Sequence, residues 1–175
     1  MMDLQKILTD NRQKLVEKWI ASVLATYPAD SVNFFKNTKD PFGNPVGSTI
    51  KRSLDLLFTQ VIKQKMDPAA LNEAMDPVIR LRAVQEFTPS KAISFVFTIK
   101  QLLRKELARH LQEKSVEDFL ADVASNTDEM ILIALDIYGA CREKIYLLRI
   151  NQAKNSLNKL LIKKEIICEI PDVNP

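Results

Sequence analysis

The stretch MILIALDIYGAC, from Met130 to Cys141, is the most apolar part of the chain and decides its fold class. Apolar residues recur at helical spacing on both sides of it, so the pattern predicts one long helix over residues 116 to 150. The stretch contains Asp136 and is shorter than the ~20 apolar residues of a membrane span, which favours a buried helix. A helix that is apolar all round must be covered on every side. In so small a domain, one side is expected to face the core and the other a second subunit.

The second subunit is expected to be another copy of this chain, so the long helix is the predicted centre of a homodimer. Gly139 has no side chain and Ala140 has a small one, which allows two helices to cross closely. The candidate interface residues are Ile133, Ala134, Ile137, Gly139, Ala140 and Cys141.

Five shorter helices are predicted ahead of the long one, from apolar periodicity and from residues that start helices. Ser48 is the expected N-cap of the second helix. An Asp-Pro or Thr-Pro pair is expected to start each of the next three helices. The expected helices cover residues 3 to 25, 49 to 65, 68 to 74, 77 to 86 and 89 to 112.

These elements predict an all-α fold, a helical bundle with a long C-terminal helix. The chain has only 3 glycines, whereas an all-β fold needs frequent turns. Residues 147 to 164 resemble about two heptads, and residues 166 to 170 are expected to form a short strand or an extended tail. We therefore expect a helical domain over residues 1–150 and a helical extension with a tail over residues 151–175.

The charge and the cysteines narrow the classes of function. A net charge of +3 is too small for the dense basic surface that nucleic-acid binding requires. Cys141 and Cys168 form neither a disulfide framework nor a zinc-ligand spacing, which suits a reducing compartment. The N-terminus is amphipathic and has no apolar segment typical of a signal peptide. We expect a cytoplasmic protein with no membrane span and no nucleic-acid partner.

No catalytic arrangement is visible in the sequence, so the chain is predicted not to be an enzyme and to need no cofactor or metal. Its single histidine, His110, is near the end of a predicted helix, where the helix dipole favours a positive charge. The alternative interpretation makes His110 a ligand of haem or of another small molecule, because a bundle of six or seven helices resembles a globin. The chain contains no glycine-rich phosphate-binding loop.

The segment DPFGNPVG, from Asp40 to Gly47, is predicted to form consecutive turns that lie on the bundle with their aromatic side chains inward. Arg82 stands in an otherwise apolar helical stretch, and a buried arginine requires a partner. A carboxylate from Asp40 or Glu86 would tie the segment to the bundle, whereas the alternative is an anion or ligand site. The candidate structural or ligand pocket consists of Asp40, Phe42, Asn44, Arg82 and Gln85.

Two stretches together resemble a known family. One is the segment from Asp40 to Gly47, and the other is RAVQEFTPSKA from Arg82 to Ala92, which continues through FVF at residues 95 to 97. With Trp19 and Tyr27-Pro28 upstream, their order and spacing are similar to the N-terminal domain of the RsbR-type RsbT co-antagonists of bacterial stressosomes. The resemblance covers roughly residues 4 to 150.

The resemblance implies a haem-free, globin-like sensory module that dimerises through its last helices and has no catalytic residues. Our first hypothesis is therefore a dimeric sensor or adaptor that binds a regulatory protein partner and is gated by a small molecule. Family members usually precede a STAS or kinase domain, and this sequence departs from that pattern because it stops at Pro175 without the usual output domain. Short stand-alone relatives occur beside membrane complexes of dissimilatory sulfite metabolism in sulfate-reducing bacteria, which by analogy suggests proximity to such a complex.

Overall fold

The computed structural model describes residues 4–28, 31–32, 35 and 43–163, and every regular element in this part is helical. The all-α class and the long C-terminal helix are confirmed. The globin-like arrangement stays a prediction. The helices are α1 (Leu4–Leu24), α2 (Pro45–Val61), α3 (Pro68–Val84), α4 (Pro89–Ile93), α5 (Phe95–Glu106) and α6 (Lys114–Lys163), with a 3₁₀ turn at Ala108–His110.

Helix α3 packs on both α2 and α6, while α1 packs on α2 and α5. Trp19 of α1 is fully buried, and its indole Nε1 donates a hydrogen bond to the Phe95 carbonyl at 2.7 Å. The centres of the Trp19 and Phe95 rings are 6.0 Å apart. This contact joins α1 to the start of α5 and satisfies the polar end of a large buried side chain.

Helix α2 begins earlier than predicted, because Asn44 rather than Ser48 is its N-cap. The Asn44 Oδ1 atom accepts a hydrogen bond from the Gly47 amide at 2.8 Å, and Pro45 occupies the first helical turn. A Cβ atom at Gly47 would overlap the Asn44 side chain, so the cap requires glycine at this position. Asparagine and serine are both good caps. Pro45 favours Asn44 as the cap, because proline suits the first helical position.

The two helices predicted at residues 68–74 and 77–86 are one continuous helix, α3. Asp67 caps its start as expected, accepting a hydrogen bond from the Ala69 amide at 3.0 Å. Asp76 caps nothing and instead forms an ion pair with Arg80, one turn later, at 2.7 Å. Pro77 lies inside the helix at an exposed position, where the carbonyl that it leaves unpaired can bond water.

The helix predicted over residues 89 to 112 is divided by a turn at Ser94. Thr88 caps α4 as expected, with its Oγ1 atom accepting a hydrogen bond from the Lys91 amide at 3.4 Å. The chain then continues as α5 and as the 3₁₀ turn that contains His110. Apolar periodicity does not reveal the break, because Ala92 and Phe95 keep helical spacing across it and are both buried.

Helix α6 has 50 residues, which corresponds to a length of about 75 Å at 1.5 Å per residue. It begins at Lys114, so Ser115 lies inside its first turn and is not the predicted cap. It passes through residue 150 without a break, and the domain boundary predicted there stays a prediction. The last buried residue of its described part is Cys141, so the helix continues beyond the core of the bundle.

None of the described helices is both long enough and apolar enough to cross a membrane. The strand or tail predicted at residues 166 to 170, together with Cys168, lies outside the described residues.

Candidate functional site

Arg82, in the last turn of α3, is fully buried although it carries a positive charge. Its Nη2 atom donates hydrogen bonds to the Lys91 carbonyl at 2.8 Å and to the Thr26 hydroxyl at 3.1 Å. Its Nε and Nη1 atoms have no hydrogen-bond partner within the part of the chain that the structure describes. Thr26 and Lys91 are both exposed, so the guanidinium group lies directly beneath the surface rather than deep in the core.

Two aromatic rings flank the guanidinium group. The Arg82 Cζ atom is 4.2 Å from the centre of the Phe87 ring and 5.5 Å from the centre of the Tyr27 ring. The two rings meet edge to face with their centres 5.1 Å apart. The Tyr27 hydroxyl donates a hydrogen bond to the Gln85 Oε1 atom at 2.9 Å. We refer to Thr26, Tyr27, Arg82, Gln85 and Phe87 as the Arg82 cluster.

The charge of Arg82 has no carboxylate partner among the described residues. Glu86, one of the two partners predicted from the sequence, pairs instead with Arg149 of α6 at 2.6 Å, so that prediction is wrong. Burial lowers the pKa of Arg82, and the neighbouring Tyr27 opposes this effect. Burial also raises the pKa of Tyr27, so its phenol is neutral at pH 7. The cluster therefore stabilises a buried cation through the faces of two aromatic rings and through neutral hydrogen-bond acceptors.

Of the other residues predicted for this pocket, Gln85 lies in the Arg82 cluster, whereas Asn44 caps α2. The Asn44 Nδ2 atom donates a hydrogen bond to the Phe35 carbonyl at 2.9 Å. The Phe35 ring in turn packs against Tyr27, with ring centres 5.3 Å apart, and so links the start of α2 to the cluster. Asp40 and Phe42 lie outside the described residues. The contact predicted between Asp40 and Arg82 therefore stays a prediction.

Sequence reasoning missed Thr26, Tyr27 and Phe87 as neighbours of Arg82. Tyr27 and Phe87 both belong to stretches that carry the family resemblance, which was an available signal. Apolar periodicity relates only residues that are close in the chain. It could not predict the contact between Thr26 and Arg82, which are 56 positions apart.

The residues that follow Arg82 form a sharp corner between α3 and α4, the Ala83–Phe87 corner. Glu86 has a φ angle of 62°, in the left-handed region that non-glycine residues rarely adopt. Helix α6 contacts this corner through three long side chains. The Tyr138 hydroxyl donates a hydrogen bond to the Phe87 carbonyl at 2.6 Å. Arg142 donates one to the Ala83 carbonyl at 3.1 Å. Arg149 donates one to the Glu86 carboxylate at 2.6 Å. The end of α3 that carries Arg82 is thus connected directly to the long helix.

The interface residues predicted on α6 do not share one face of the helix. Gly139 and Ala140 are exposed, and Ile133 and Ile137 are half-buried. Ala134 and Cys141 are buried inside the bundle, so they are not available for an outward contact. Neighbouring residues of a helix point their side chains to different sides. Because apolar residues occur on all sides of this stretch, the sequence did not show which side faces the bundle.

A different set of apolar side chains is exposed along α6. Leu132 is 65% exposed, Leu135 is 44% exposed and Tyr146 is 51% exposed. Successive residues of an α-helix are rotated by about 100° around the helix axis. At this spacing, the three side chains lie within about 60° of Gly139 and of the exposed Ile150 around the axis of α6. We refer to Leu132, Leu135, Gly139, Tyr146 and Ile150 as the α6 stripe.

The remaining candidates for chemistry have simple structural surroundings. His110 lies on the 3₁₀ turn with its Nδ1 atom 2.8 Å from the Glu113 carboxylate. Cys141 is a buried free thiol. Within the described ranges, no group of three or more histidine, cysteine, aspartate or glutamate side chains is arranged to hold a metal ion.

The described residues form an all-α bundle in which the corner that follows the buried Arg82 is hydrogen-bonded to the long helix α6. Residues 13–153 match the family model of the RsbT co-antagonist protein rsbRD N-terminal domain, and the chain belongs to this family of stressosome-type regulatory domains. An uncharacterized protein of Archaeoglobus fulgidus is similar to it, with 25% identity over 155 residues that cover 86% of this chain and 89% of the relative. No solved structure matches the chain significantly.

Proposed function

We propose that this chain is a non-catalytic sensory domain that works as a homodimer, binds a regulatory protein partner and is gated by a small molecule. The α6 stripe carries the proposal. Membership of a family of stressosome-type regulatory domains supports action through protein contacts. In this proposal the chain acts in the cytoplasm.

The α6 stripe is suited to contact with a second helix. Its apolar side chains are exposed on one side of α6 while Ala134 and Met130 of the same helix are completely buried on the other side. Exposed apolar residues that line up along a helix are characteristic of helix–helix pairing, unlike apolar residues scattered singly over a surface. A second copy of the chain offers the same stripe, and a symmetric dimer would cover both.

Gly139 lies in the middle of the stripe, and a Cβ atom added there would meet no atom of the described residues within 4 Å. Glycine inside a helix costs about 1 kcal/mol relative to alanine. The packing of the single chain offers no compensation for this cost, whereas a closely crossing partner helix would. Gly139 therefore supports a helix crossing at this point.

A charged substitution in the stripe tests the dimer. We expect the wild-type chain to be a dimer at tens of micromolar by light scattering, and Leu132→Glu to be monomeric, because the substitution would bury an unpaired carboxylate at the interface. Phe97→Glu is the matched control, since Phe97 is an exposed apolar residue of α5 (49% exposed) outside the stripe. A monomeric wild-type chain, or equal effects of both substitutions, would contradict the proposed interface.

A further inference from the structure

We propose that the Arg82 cluster binds a small carboxylate anion, which the guanidinium group of Arg82 holds against the rings of Phe87 and Tyr27. This inference rests on the proposed function, because it names the class of small molecule that gates the domain. Two observations carry it. The Arg82 side chain is 0% exposed, and its Nε and Nη1 atoms have no acceptor among the described residues.

A buried cation without a counter-charge destabilises a fold, and native proteins leave few buried polar atoms unsatisfied. Both hydrogens of Nη2 are used, on the Lys91 carbonyl and on the Thr26 hydroxyl. These acceptors are neutral and leave the positive charge uncompensated. The Phe87 and Tyr27 rings stabilise the charge through their faces, whereas Nε and Nη1 have no acceptor at hydrogen-bond geometry among the described residues. A carboxylate beside the guanidinium group would supply the missing charge and an acceptor for either Nε or Nη1, whose hydrogens lie on opposite sides of the group.

The surroundings favour one negative charge over two. Arg80, two residues earlier, is exposed and pairs with Asp76 at 2.7 Å. Arg142 stacks on Tyr146, with its Cζ atom 4.8 Å from the ring centre, and donates to the backbone of the corner. A phosphate group carries nearly two charges at neutral pH and three strong acceptor oxygens. A carboxylate matches a single guanidinium group in charge, and its organic part would lie against the aromatic rings.

The site is close to solvent. Thr26 and Lys91 are exposed and Phe87 is half-buried, so rotation of the Phe87 side chain would uncover the guanidinium group. A ligand that enters this way displaces the ring without crossing the bundle core.

A titration of the full chain with sodium acetate and sodium propionate tests the site, after dialysis into carboxylate-free buffer and with sodium chloride holding the ionic strength constant. We expect a saturable shift of the NMR signal of the Arg82 Nε–H group. We also expect the melting temperature to rise by about 3–5 °C at a tenfold excess over Kd. Neutral methyl acetate should produce neither change. Arg82→Gln should abolish the thermal response, whereas Arg80→Gln, the matched control on the same helix, should retain it.

The proposal is overturned if neither carboxylate gives a saturable response, if Arg82→Gln retains the response, or if inorganic phosphate binds more tightly than the carboxylates. Should Arg82→Gln fail to fold, the Arg82 Nε–H signal of the wild-type chain decides: a shift with acetate but not with methyl acetate supports the site, and no shift rejects it. Because this signal is read at Arg82 itself, the result does not depend on the oligomeric state. A failure here is therefore distinguishable from a failure of the proposed dimer.

Discussion

The Tyr138 hydroxyl of the long helix α6 donates a hydrogen bond to the Phe87 carbonyl at 2.6 Å. The centre of the Phe87 ring is 4.2 Å from the Arg82 Cζ atom. One residue therefore contacts both the buried cation and the proposed dimer helix. A displacement of the Phe87 ring would change the geometry of the corner that Tyr138 holds. This is a direct physical connection between the proposed ligand site and the helix expected to transmit the signal.

The Tyr138 hydrogen bond should contribute measurably to stability. We expect Tyr138→Phe to lower the free energy of unfolding by about 0.5–1.5 kcal/mol, the usual net contribution of such a bond. Ser156→Ala is the matched control, because the exposed Ser156 hydroxyl of α6 lies outside the α6 stripe and donates a hydrogen bond to the Gln152 carbonyl of the same helix, at 2.9 Å. Urea denaturation followed by circular dichroism measures both. Equal losses in the two variants would show that the bond to Phe87 has no special weight.

The counter-charge of Arg82 can be assigned by a double-mutant cycle with Asp40. In carboxylate-free buffer, we expect Arg82→Met to change the free energy of unfolding by less than about 1 kcal/mol, because the two hydrogen bonds lost are offset by removal of an unpaired buried charge. We expect Asp40→Asn to be additive with it, within about 0.5 kcal/mol. Coupling of more than about 1 kcal/mol would assign the counter-charge to Asp40 and reject the bound anion. Denaturation of the wild-type chain, both single variants and the double variant gives the answer.

Gly139 should respond differently to small and large substitutions. Because a Cβ atom at Gly139 meets no atom within 4 Å in the part of the chain that the structure describes, Gly139→Ala should stabilise α6 by up to about 1 kcal/mol. Gly139→Leu should keep the single chain folded but weaken dimerisation at least about tenfold, which corresponds to about 1.4 kcal/mol. Sedimentation equilibrium measures the dimer affinity of each. If Gly139→Leu dimerises as tightly as the wild-type chain, the helices do not cross at this position.

His110 provides the test of the haem alternative. Its Nδ1 atom pairs with Glu113 on a short turn, so we expect the purified protein to be colourless and His110→Ala to leave its absorbance unchanged. The visible spectrum of both proteins after incubation with haemin is the measurement. Haem bound in a one-to-one ratio and lost on His110→Ala would support the globin-like cofactor binder instead.

Local patterns determined the helical class, because a repeat of 3.6 residues and helix-start residues act over a few positions. Asp67 and Thr88 were recognised as caps for this reason, and both make the expected bonds. Local reasoning failed where two local signals competed. Asn44 and Ser48 were equally good caps, and Asp76-Pro77 resembled a helix start although the helix continues through it.

The candidate site illustrates the same limit. Arg82 was identified because an arginine in an apolar stretch is unusual wherever it occurs, and Gln85 belongs to the stretch that carries the family resemblance. Tyr27 and Phe87 were not assigned to it, because their contact with Arg82 depends on how α1 meets the end of α3. The family resemblance drew attention to the right stretches without showing which of their side chains meet.

The sequence by itself determined that this protein is all-α and that a long helix follows the shorter ones. It also determined that the chain belongs with stressosome-type regulatory domains. Only the tertiary structure decided that Ala134 and Cys141 face the bundle while Leu132 and Leu135 face outward. It also decided that Glu86 forms an ion pair with Arg149, so that Arg82 has no carboxylate partner among the described residues. The physical reason is that helix formation is governed by near neighbours in the chain. The side of a helix that is buried, and the partner that a charge finds, are set by elements that the sequence separates by tens of residues.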